Sequence, residues 1–317
     1  MKLNVAVQMD PIARINIGGD STFALLLEAQ KRGHAVSYYT PDKLSLRGDE
    51  VVAPVQKLDV RDQPGNHFTL GEPRRESLSG FDVVLLRQDP PFDLAYITST
   101  HLLERIQGET LVVNDPASVR NAPEKVFVLD FRRFMPPTLL TRASTLARHF
   151  LEEHGEIVVK PVHGFAGKSV FRIGPDGANL ESLFELFNTA WREPHVVQAF
   201  IPEIIQGDKR IVLIDGEVAG AVNRVPGEGE IRSNLAVGGS AAKTELTGRE
   251  KEICAALGPE LKKRGLLFVG IDVIGGKWLT EINVTSPTGI VAIDKFNGTD
   301  TPALIWDKIE EKAAARG

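Results

Sequence analysis

The sequence predicts an α/β protein with an α+β part, in which a doubly wound parallel-sheet domain comes first. Strands and helices alternate over the first 120 residues, two strands flank a glycine-bearing loop in the middle, and two hairpins follow. Alternation of strands and helices is typical of a parallel sheet that is covered on both faces. Because a chain of 317 residues is too long for one ordinary core, we divide it into 1–120, 121–201 and 202–317.

The first part begins with an apolar run at 3–8 that predicts a buried strand. Asp20 or Ser21 then caps a helix that stops at Gly33. Further strands are predicted at 35–39, 83–87 and 110–114, with a helix at 96–106. A dinucleotide-binding fold would place a Gly-x-Gly-x-x-Gly turn straight after the first strand. Since residues 8–12 contain no glycine, we reject that alternative.

The middle and last parts show different patterns. In the middle part, helices are predicted near Pro123 and at 144–154 and 180–191, with strands at 157–160, 169–173 and 196–200. In the last part, residues 247–250 form a capping box that opens a helix ending at 264–265. Hairpins turn at 215–216 and 275–276, and Pro302 lies in the first turn of the last helix.

The composition excludes several classes of protein. A net charge of −5 and a pI of about 5.9 do not favour a nucleic-acid or anionic-membrane partner. The N-terminal run lacks the features of a signal peptide, and no segment is long and apolar enough to span a membrane, so we expect a cytoplasmic protein. A single cysteine, Cys254, fits a reducing compartment and is expected to be a core thiol.

The second predicted hairpin carries the strongest chemical signal. With a two-residue turn at 275–276, Ile274 pairs with Lys277 and Asp272 pairs with Leu279. Alternation then puts Asp272, Lys277, Leu279, Glu281 and Asn283 on one face, with the two carboxylates as diagonal neighbours. Two carboxylates and an amide oxygen can hold Mg²⁺ together with the phosphates of a substrate. The alternative is a solvated polar strand face.

Two further signals are weaker. Lys160 ends a strand before Gly164 and Gly167, and this arrangement fits either a phosphate site or a plain turn. Arg210, Arg224 and Arg232 could bind carboxylates or phosphates bidentately, although the residues taken alone favour plain surface charge.

In order along the chain, these segments resemble the ATP-grasp superfamily and, within it, the prokaryotic glutathione synthetases. The N-terminal segments are 9–12 (Met-Asp-Pro-Ile), 15–17 (Ile-Asn-Ile) and 87–93 (Arg-Gln-Asp-Pro-Pro-Phe-Asp). The later segments are Asn121 with 124–125 (Glu-Lys), 160–161 (Lys-Pro), 198–202 (Gln-Ala-Phe-Ile-Pro), 207–210 (Gly-Asp-Lys-Arg), 270–275 (Gly-Ile-Asp-Val-Ile-Gly) and 279–288 (Leu-Thr-Glu-Ile-Asn-Val-Thr-Ser-Pro-Thr). The resemblance covers essentially the whole chain.

The resemblance implies an ATP-grasp fold, preceded by the N-terminal sheet domain, and a set of residue roles. It implies phosphate contacts for Lys125, Lys160, Gly164 and Gly167, adenine contacts for Gln198, Ala199, Phe200 and Ile201, and a ribose or metal-shell contact for Asp208. It implies metal binding by Asp272, Glu281 and Asn283, and placement of the acceptor by Arg210, Arg232, Asn283, Ser286 and Thr288. Arg210, Lys160 and Arg232 are the implied catalytic residues. One departure is the loop at 163–167, His-Gly-Phe-Ala-Gly, where relatives usually have Asp-Gly-x-Gly-Gly; His163 is expected to be a hydrogen-bonding loop residue.

The resemblance also implies a reaction. ATP would phosphorylate the cysteinyl carboxylate of γ-glutamylcysteine, and the amine of glycine would attack the acyl phosphate, with Mg²⁺, or alternatively Mn²⁺, as the cofactor. A homo-oligomer is expected, with a tetramer favoured by the family. The alternatives are an ATP-grasp ligase for another acceptor and amine, and a regulator that binds ATP without catalysis. The glycine-rich stretch 226–239 is predicted to be a lid that keeps water from the acyl phosphate.

Overall fold

The computed structural model describes residues 1–227, 230, 232–233 and 238–316. The strands of the first sheet are β1 (Asn4–Met9), β2 (Ala35–Tyr39), β3 (Ser45–Arg47), β4 (Glu50–Val60), β5 (Phe68–Leu70), β6 (Arg74–Ser77), β7 (Val83–Arg87) and β8 (Leu111–Val113). The second sheet contains β9 (Thr138–Thr141), β10 (Ile157–Pro161), β11 (Phe171–Ile173) and β12 (His195–Ala199). The third contains β13 (Asp208–Ile214), β14 (Glu217–Val225), β15 (Ser240–Ala242), β16 (Phe268–Ile274) and β17 (Trp278–Asn283).

The α-helices of the described chain connect and cover these sheets. They are α1 (Ser21–Lys31), α2 (Leu94–Glu104), α3 (Pro116–Arg120), α4 (Glu124–Phe127), α5 (Ser144–His154), α6 (Leu180–Ala190), α7 (Gly248–Lys263), α8 (Ile290–Asn297) and α9 (Thr301–Ala314). Local capping signals explain where α1 and α7 begin. The carboxylate of Asp20 accepts a hydrogen bond from the Phe23 amide at the start of α1, and Thr247 and Glu250 complete the predicted capping box of α7.

The first sheet confirms the parallel prediction in its centre. β1 pairs in parallel with β2 and β7, and β7 pairs in parallel with β8. Alternate residues of β1 and β7 enter two different apolar clusters, so helices cover both faces of the sheet. The prediction omitted strands β3 to β6, which add an antiparallel extension through the pairing of β2 with β4. It omitted α8 as well.

The other two sheets are antiparallel, as the α+β prediction requires. The second has the order β11-β10-β12-β9 and carries α5 and α6 over an apolar cluster of its own. The third has the order β15-β14-β13-β16-β17. Each sheet lies inside one of the three predicted segments. The domain boundaries at 120 and 201 nevertheless stay a prediction, because two apolar clusters join the first segment to the last.

Helix α9 makes one of these connections. It packs against α1, and the indole nitrogen of Trp306 donates a hydrogen bond to the Leu25 carbonyl at 2.8 Å. Trp306 is fully buried in the cluster that contains Val5 and Phe23. The N-terminal sheet therefore shares its core with the last helix of the described chain.

The register of the second hairpin differs from the prediction. Asp272 pairs directly with Glu281, and Val273 pairs with Leu279, because a bulge on β17 at Thr280 adds a residue between these pairs. Leu279 consequently lies in the apolar core and not on the face of the carboxylates. The prediction that Leu279 and Lys277 share that face is wrong, whereas Asp272 and Glu281 are closer together than predicted.

Among the residues described, none of the helices combines the length and the apolar character that a membrane crossing requires.

Candidate active site

An open cleft lies between the second and third sheets, with about 870 Å³ of empty space including its mouth. Residues from both sheets line it, which is the usual position of a ligand site between two structural units. All the residues predicted to contact the nucleotide line this cleft: Lys125, Lys160, Gly164, Gly167, Gln198, Ala199, Phe200, Ile201 and Asp208. Arg232, Asp272 and Glu281 line it too.

Two lysines meet at one carboxylate in the cleft. The Lys160 Nζ lies 3.1 Å and the Lys125 Nζ 3.4 Å from Oε1 of Glu281. Lys125 also donates a hydrogen bond to the Gly164 carbonyl. Burial opposes the charge of Glu281, but the two ammonium groups lower its carboxyl pKa below the ordinary value. A phosphate group can take the place of this carboxylate between the two lysines.

Burial acts on the lysines in a different way. It lowers the pKa of Lys160 below the ordinary value, although Glu281 opposes the shift. Burial acts in the same direction on Lys125, but the carboxylates of Glu281 and Glu124 raise its pKa above the ordinary value. Further negative charge, such as that of a polyphosphate, would stabilise both ammonium groups.

Asp272 is surrounded by arginines. The Arg210 guanidinium binds it through two nitrogens, at 2.6 and 3.1 Å, and Arg224 lies at 3.0 Å. Burial opposes the charge, but these guanidinium groups hold the carboxyl pKa of Asp272 well below its usual range. Arg224 also binds Asp208, which accepts a hydrogen bond from the Ser233 hydroxyl at 2.7 Å. Asp208 and Arg224 therefore connect Ser233 to the carboxylate of Asp272.

The predicted metal ligands are adjacent on two paired strands. Asp272 faces Glu281, and the Asn283 side-chain nitrogen lies 3.4 Å from Asp272 Oδ2. No group of three acidic, histidine or cysteine side chains suited to a metal occurs in the part of the chain described. Two carboxylates and one amide oxygen nevertheless fit Mg²⁺, which takes few protein ligands when phosphates supply the others.

Four of the residues predicted to place the acceptor are not among those that line the cleft. The Thr288 carbonyl accepts a hydrogen bond from Arg210 at 3.1 Å. The Ser286 hydroxyl donates to the Arg87 carbonyl at 3.4 Å, and the Arg87 guanidinium donates to the Pro287 carbonyl at 2.8 Å. The predicted set of Arg210, Asn283, Ser286 and Thr288 thus lies between the cleft and the end of β7.

Arg232 lines the cleft and pairs with Glu230 at 3.0 Å. The predicted lid at 226–239 otherwise falls partly outside the described residues, namely at Glu228, Gly229, Ile231, Asn234, Leu235, Ala236 and Val237. The lid stays a prediction.

The glycine loop has an unusual backbone. Ala166, Gly167 and Ser169 have φ values of 54°, 71° and 56°, in the left-handed region that favours glycine. Gly164 cannot be replaced without displacing neighbours, since a Cβ there would lie 2.9 Å from the Pro161 ring. The His163 ring packs 5.7 Å from that of Phe92, and its role as a hydrogen-bonding loop residue stays a prediction.

Sequence reasoning missed two features of the site. The motif at 124–125 gives Lys125 a role but none to its neighbour Glu124. Burial raises the carboxyl pKa of Glu124 to about 7, against the influence of Lys125. It also missed the burial of Arg87, for which the motif at 87–93 was the available signal. Cys254 is a buried core thiol as predicted, and burial raises its pKa to about 12.

Comparison with known proteins places the chain among characterised families. The family model "Prokaryotic glutathione synthetase, N-terminal domain" matches residues 3–120, and the model of the ATP-grasp domain of the same family matches residues 124–298. The glutathione synthetase of Bradyrhizobium diazoefficiens is 68% identical over 314 residues, which are 99% of this chain and 100% of the relative.

Solved structures show the same fold at low identity. D-cycloserine synthetase has a TM-score of 0.68 at 16% identity and covers 99% of this chain and 100% of its own. The ATP-grasp ligase PsnB, solved with Mg, ADP and a phosphomimetic variant of its minimal precursor, has a TM-score of 0.62 at 18% identity, with 98% of each chain covered. The fold is ATP-grasp, with a mostly parallel N-terminal sheet followed by antiparallel sheets. The two family models and the full-length identity together show that the chain belongs to the prokaryotic glutathione synthetase family of ATP-grasp ligases.

Proposed function

We propose that the chain joins γ-glutamylcysteine to glycine with hydrolysis of ATP to ADP and phosphate, through an acyl-phosphate intermediate. The convergence of Lys125 and Lys160 on one oxygen of Glu281 in a cleft carries the proposal. The family membership supports this choice of substrates.

The first step is phosphorylation of the cysteinyl carboxylate. A carboxylate oxygen attacks the γ-phosphorus, the bond from that phosphorus to the bridging oxygen breaks, and ADP leaves. This attack brings two anions together, so cations must offset their repulsion. Lys125 and Lys160 supply positive charge at the phosphates, and Arg210 supplies it at the acceptor side. Arg232, which lines the cleft, binds the dipeptide.

The second step forms the peptide bond. The nitrogen lone pair of glycine, with its amine neutral, attacks the acyl carbon, and the bond from that carbon to the phosphate oxygen breaks. Phosphate leaves with the proton that the nitrogen loses. The same lysines stabilise the departing phosphate. This route needs no covalent bond to the protein.

Mg²⁺ is the proposed cofactor, with Mn²⁺ as an alternative ion. Asp272, Glu281 and Asn283 would hold it, and the donor chemistry of two carboxylates and an amide supports this choice. When bound, the ion adds positive charge at the phosphates of ATP. Since Arg210, Lys125 and Lys160 now pair with these carboxylates, part of this pairing would give way to the ion.

Release of ADP tests the proposal. The purified chain is given ATP and Mg²⁺ with γ-glutamylcysteine and glycine, and then with a panel of other acceptors and amines. We expect ADP and glutathione in equal amounts, with the highest kcat/KM for the γ-glutamylcysteine and glycine pair. Preference for another pair would replace the substrate assignment, and ATP binding without ADP release would favour a regulator.

A cytoplasmic location and a homo-oligomer, a tetramer in the favoured case, are further parts of the proposal.

A further inference from the structure

A tight turn at 165–168 forms part of the wall of the cleft. The Lys168 amide donates a hydrogen bond to the Phe165 carbonyl at 3.1 Å, and the central residues Ala166 and Gly167 have φ values of 54° and 71°. Positive φ at both central residues is typical of a type I′ turn. Such a turn sets its first and last residues opposite each other, so their side chains share one side. All four residues of the turn line the cleft.

The loop that carries this turn touches one of the two lysines assigned to the phosphates. Gly164, the residue before the turn, accepts a hydrogen bond from the Lys125 ammonium through its carbonyl. That ammonium lies 3.4 Å from the carboxylate of Glu281, on which Lys160 also converges. The turn therefore begins one residue beyond the lysine pair, and its last residue brings a further cation to the same cleft.

Lys168 differs from the other cations that line the cleft. Lys125, Lys160 and Arg232 each pair with a carboxylate. Among the described residues, no carboxylate oxygen lies within 4.0 Å of the Lys168 ammonium, which instead lies 5.1 Å from the centroid of the Phe165 ring. Lys168 is exposed and the ring is half-buried. A cation held only by an aromatic ring at such a site is bound weakly, so an anion in the cleft can draw it away.

We propose that Lys168 is a further phosphate-binding residue, whose ammonium leaves the Phe165 ring for the polyphosphate of ATP when the nucleotide enters the cleft. The inference rests on the nucleotide half of the proposed function, since it requires ATP in this cleft but no particular acceptor. A third ammonium group beside Lys125 and Lys160 adds positive charge where the acceptor carboxylate would meet the γ-phosphate.

Lys168→Met tests the contact, since it keeps an unbranched side chain and removes the charge. Calorimetric titration in the presence of Mg²⁺ measures the Kd for ATP and, separately, the Kd for adenosine, which has no phosphate. We expect the Kd for ATP to rise about fivefold or more, and the Kd for adenosine to change less than about twofold. An unchanged Kd for ATP would overturn the proposal, and so would an equal increase for both compounds.

Lys277→Met is the matched control. Lys277 is also an exposed lysine over an aromatic ring, 5.0 Å from that of Trp278, but it does not line the cleft. The two variants lose the same charge and the same kind of contact, so the control should change the Kd for ATP less than about twofold. If it weakened ATP binding as much as Lys168→Met does, net charge would explain both effects and the phosphate contact would be refuted.

Salt separates an ionic contact from a role in the shape of the loop. The ratio of the Kd for ATP in Lys168→Met to that in the wild type should fall as KCl rises from about 0.05 M to about 0.5 M, because salt screens the ammonium from the phosphates. A ratio that does not depend on salt would mean that Lys168 only supports the turn, and the proposal would be rejected.

Direct binding also distinguishes failure of this inference from failure of the proposed function. A wild type that binds ATP but does not join γ-glutamylcysteine to glycine would refute the assignment of the acceptor alone, and the Kd values of Lys168→Met would still decide the role of the lysine. A wild type that binds ATP no more tightly than adenosine would overturn both.

Discussion

Lys160 donates a hydrogen bond to Glu281 across the cleft, with 3.1 Å between Nζ and Oε1. The lysine belongs to the second sheet and the glutamate to the third, so this ion pair bridges the two walls of the site. In the proposed reaction, the phosphates of ATP would therefore compete with the carboxylate of Glu281 for the same ammonium group. A metal ion on Glu281 would favour transfer of the lysine to the phosphate.

Glu281→Gln should lower kcat/KM for ATP and raise the Mg²⁺ concentration at half-maximal rate. Removal of one charged contact costs roughly 1.5–3 kcal/mol, which corresponds to roughly ten- to a hundredfold in kcat/KM. Steady-state rates over a Mg²⁺ series provide the measurement, with Glu311→Gln on the exposed side of α9 as control. A folded Glu281→Gln variant with wild-type turnover and Mg²⁺ dependence would refute the metal assignment.

Arg232→Ala should raise the KM for γ-glutamylcysteine more than the KM for ATP. Arg232 lines the cleft and pairs with Glu230 in the ligand-free protein. The bound dipeptide would replace Glu230 as the partner of the guanidinium. A lost charged hydrogen bond corresponds to an increase of roughly ten- to a hundredfold. Arg148→Ala on α5, which removes an exposed pair with Glu181, is the control. Equal effects on both substrates would argue against an acceptor role.

Glu124→Gln should stabilise the ligand-free protein at high pH. The folded-state pKa of about 7 lies above the ordinary 4.5, so the stability linked to this proton is complete below pH 4.5 and lost as pH rises through 7. This shift corresponds to about 3 kcal/mol, and glutamine does not titrate. The unfolding free energy of the variant relative to wild type should therefore increase from pH 5 to pH 8. Denaturant melts at each pH measure it, and a difference independent of pH would contradict the raised pKa.

Lys209→Met should destabilise the fold without a direct effect on the cleft. The Lys209 ammonium lies 2.6 Å from the fully buried carboxylate of Glu250 and 2.7 Å from the Glu245 carbonyl. Removal of one partner of such a pair typically costs about 3–5 kcal/mol, because a buried charge remains. Lys209→Met combined with Glu250→Gln should recover part of that loss. Chemical denaturation measures both, with the exposed Lys263→Met as control; additive effects would exclude the pairing.

The sequence predicted most elements because their signals are local. The strand at 83–87 and the helix at 144–154 have the predicted limits, and the caps of α1 and α7 follow from single polar side chains. The extension β3 to β6 was missed because half of its strands are short and largely exposed, without the apolar alternation that marks a strand. The bulge at Thr280 was missed since alternation alone does not reveal an extra residue.

The sequence motifs predict which residues line the candidate site, but not which of their side chains contact each other. Motif order identified Lys125, Lys160, Asp272 and Glu281, all of which line one cleft. The pairing of Lys160 with Glu281 depends on the distance between two sheets, and the pairing of Arg210 with Asp272 depends on the register of β13 against β16. Spacing along the chain encodes neither. The surroundings of Glu124 are equally non-local, because its carboxylate accepts a hydrogen bond from Thr285, which is 161 positions away.

The contact of α9 with α1 has a consequence for synthesis on the ribosome. The first 120 residues emerge long before Trp306, which fills their core beside Leu25. Until that helix is released from the exit tunnel, the nascent N-terminal sheet exposes an apolar face that chaperones can bind. Pulse proteolysis of ribosome-arrested chains should find this region digestible when synthesis stops before residue 300 and resistant only after α9 has emerged. The first part of the chain to be translated is thus among the last to reach its final state.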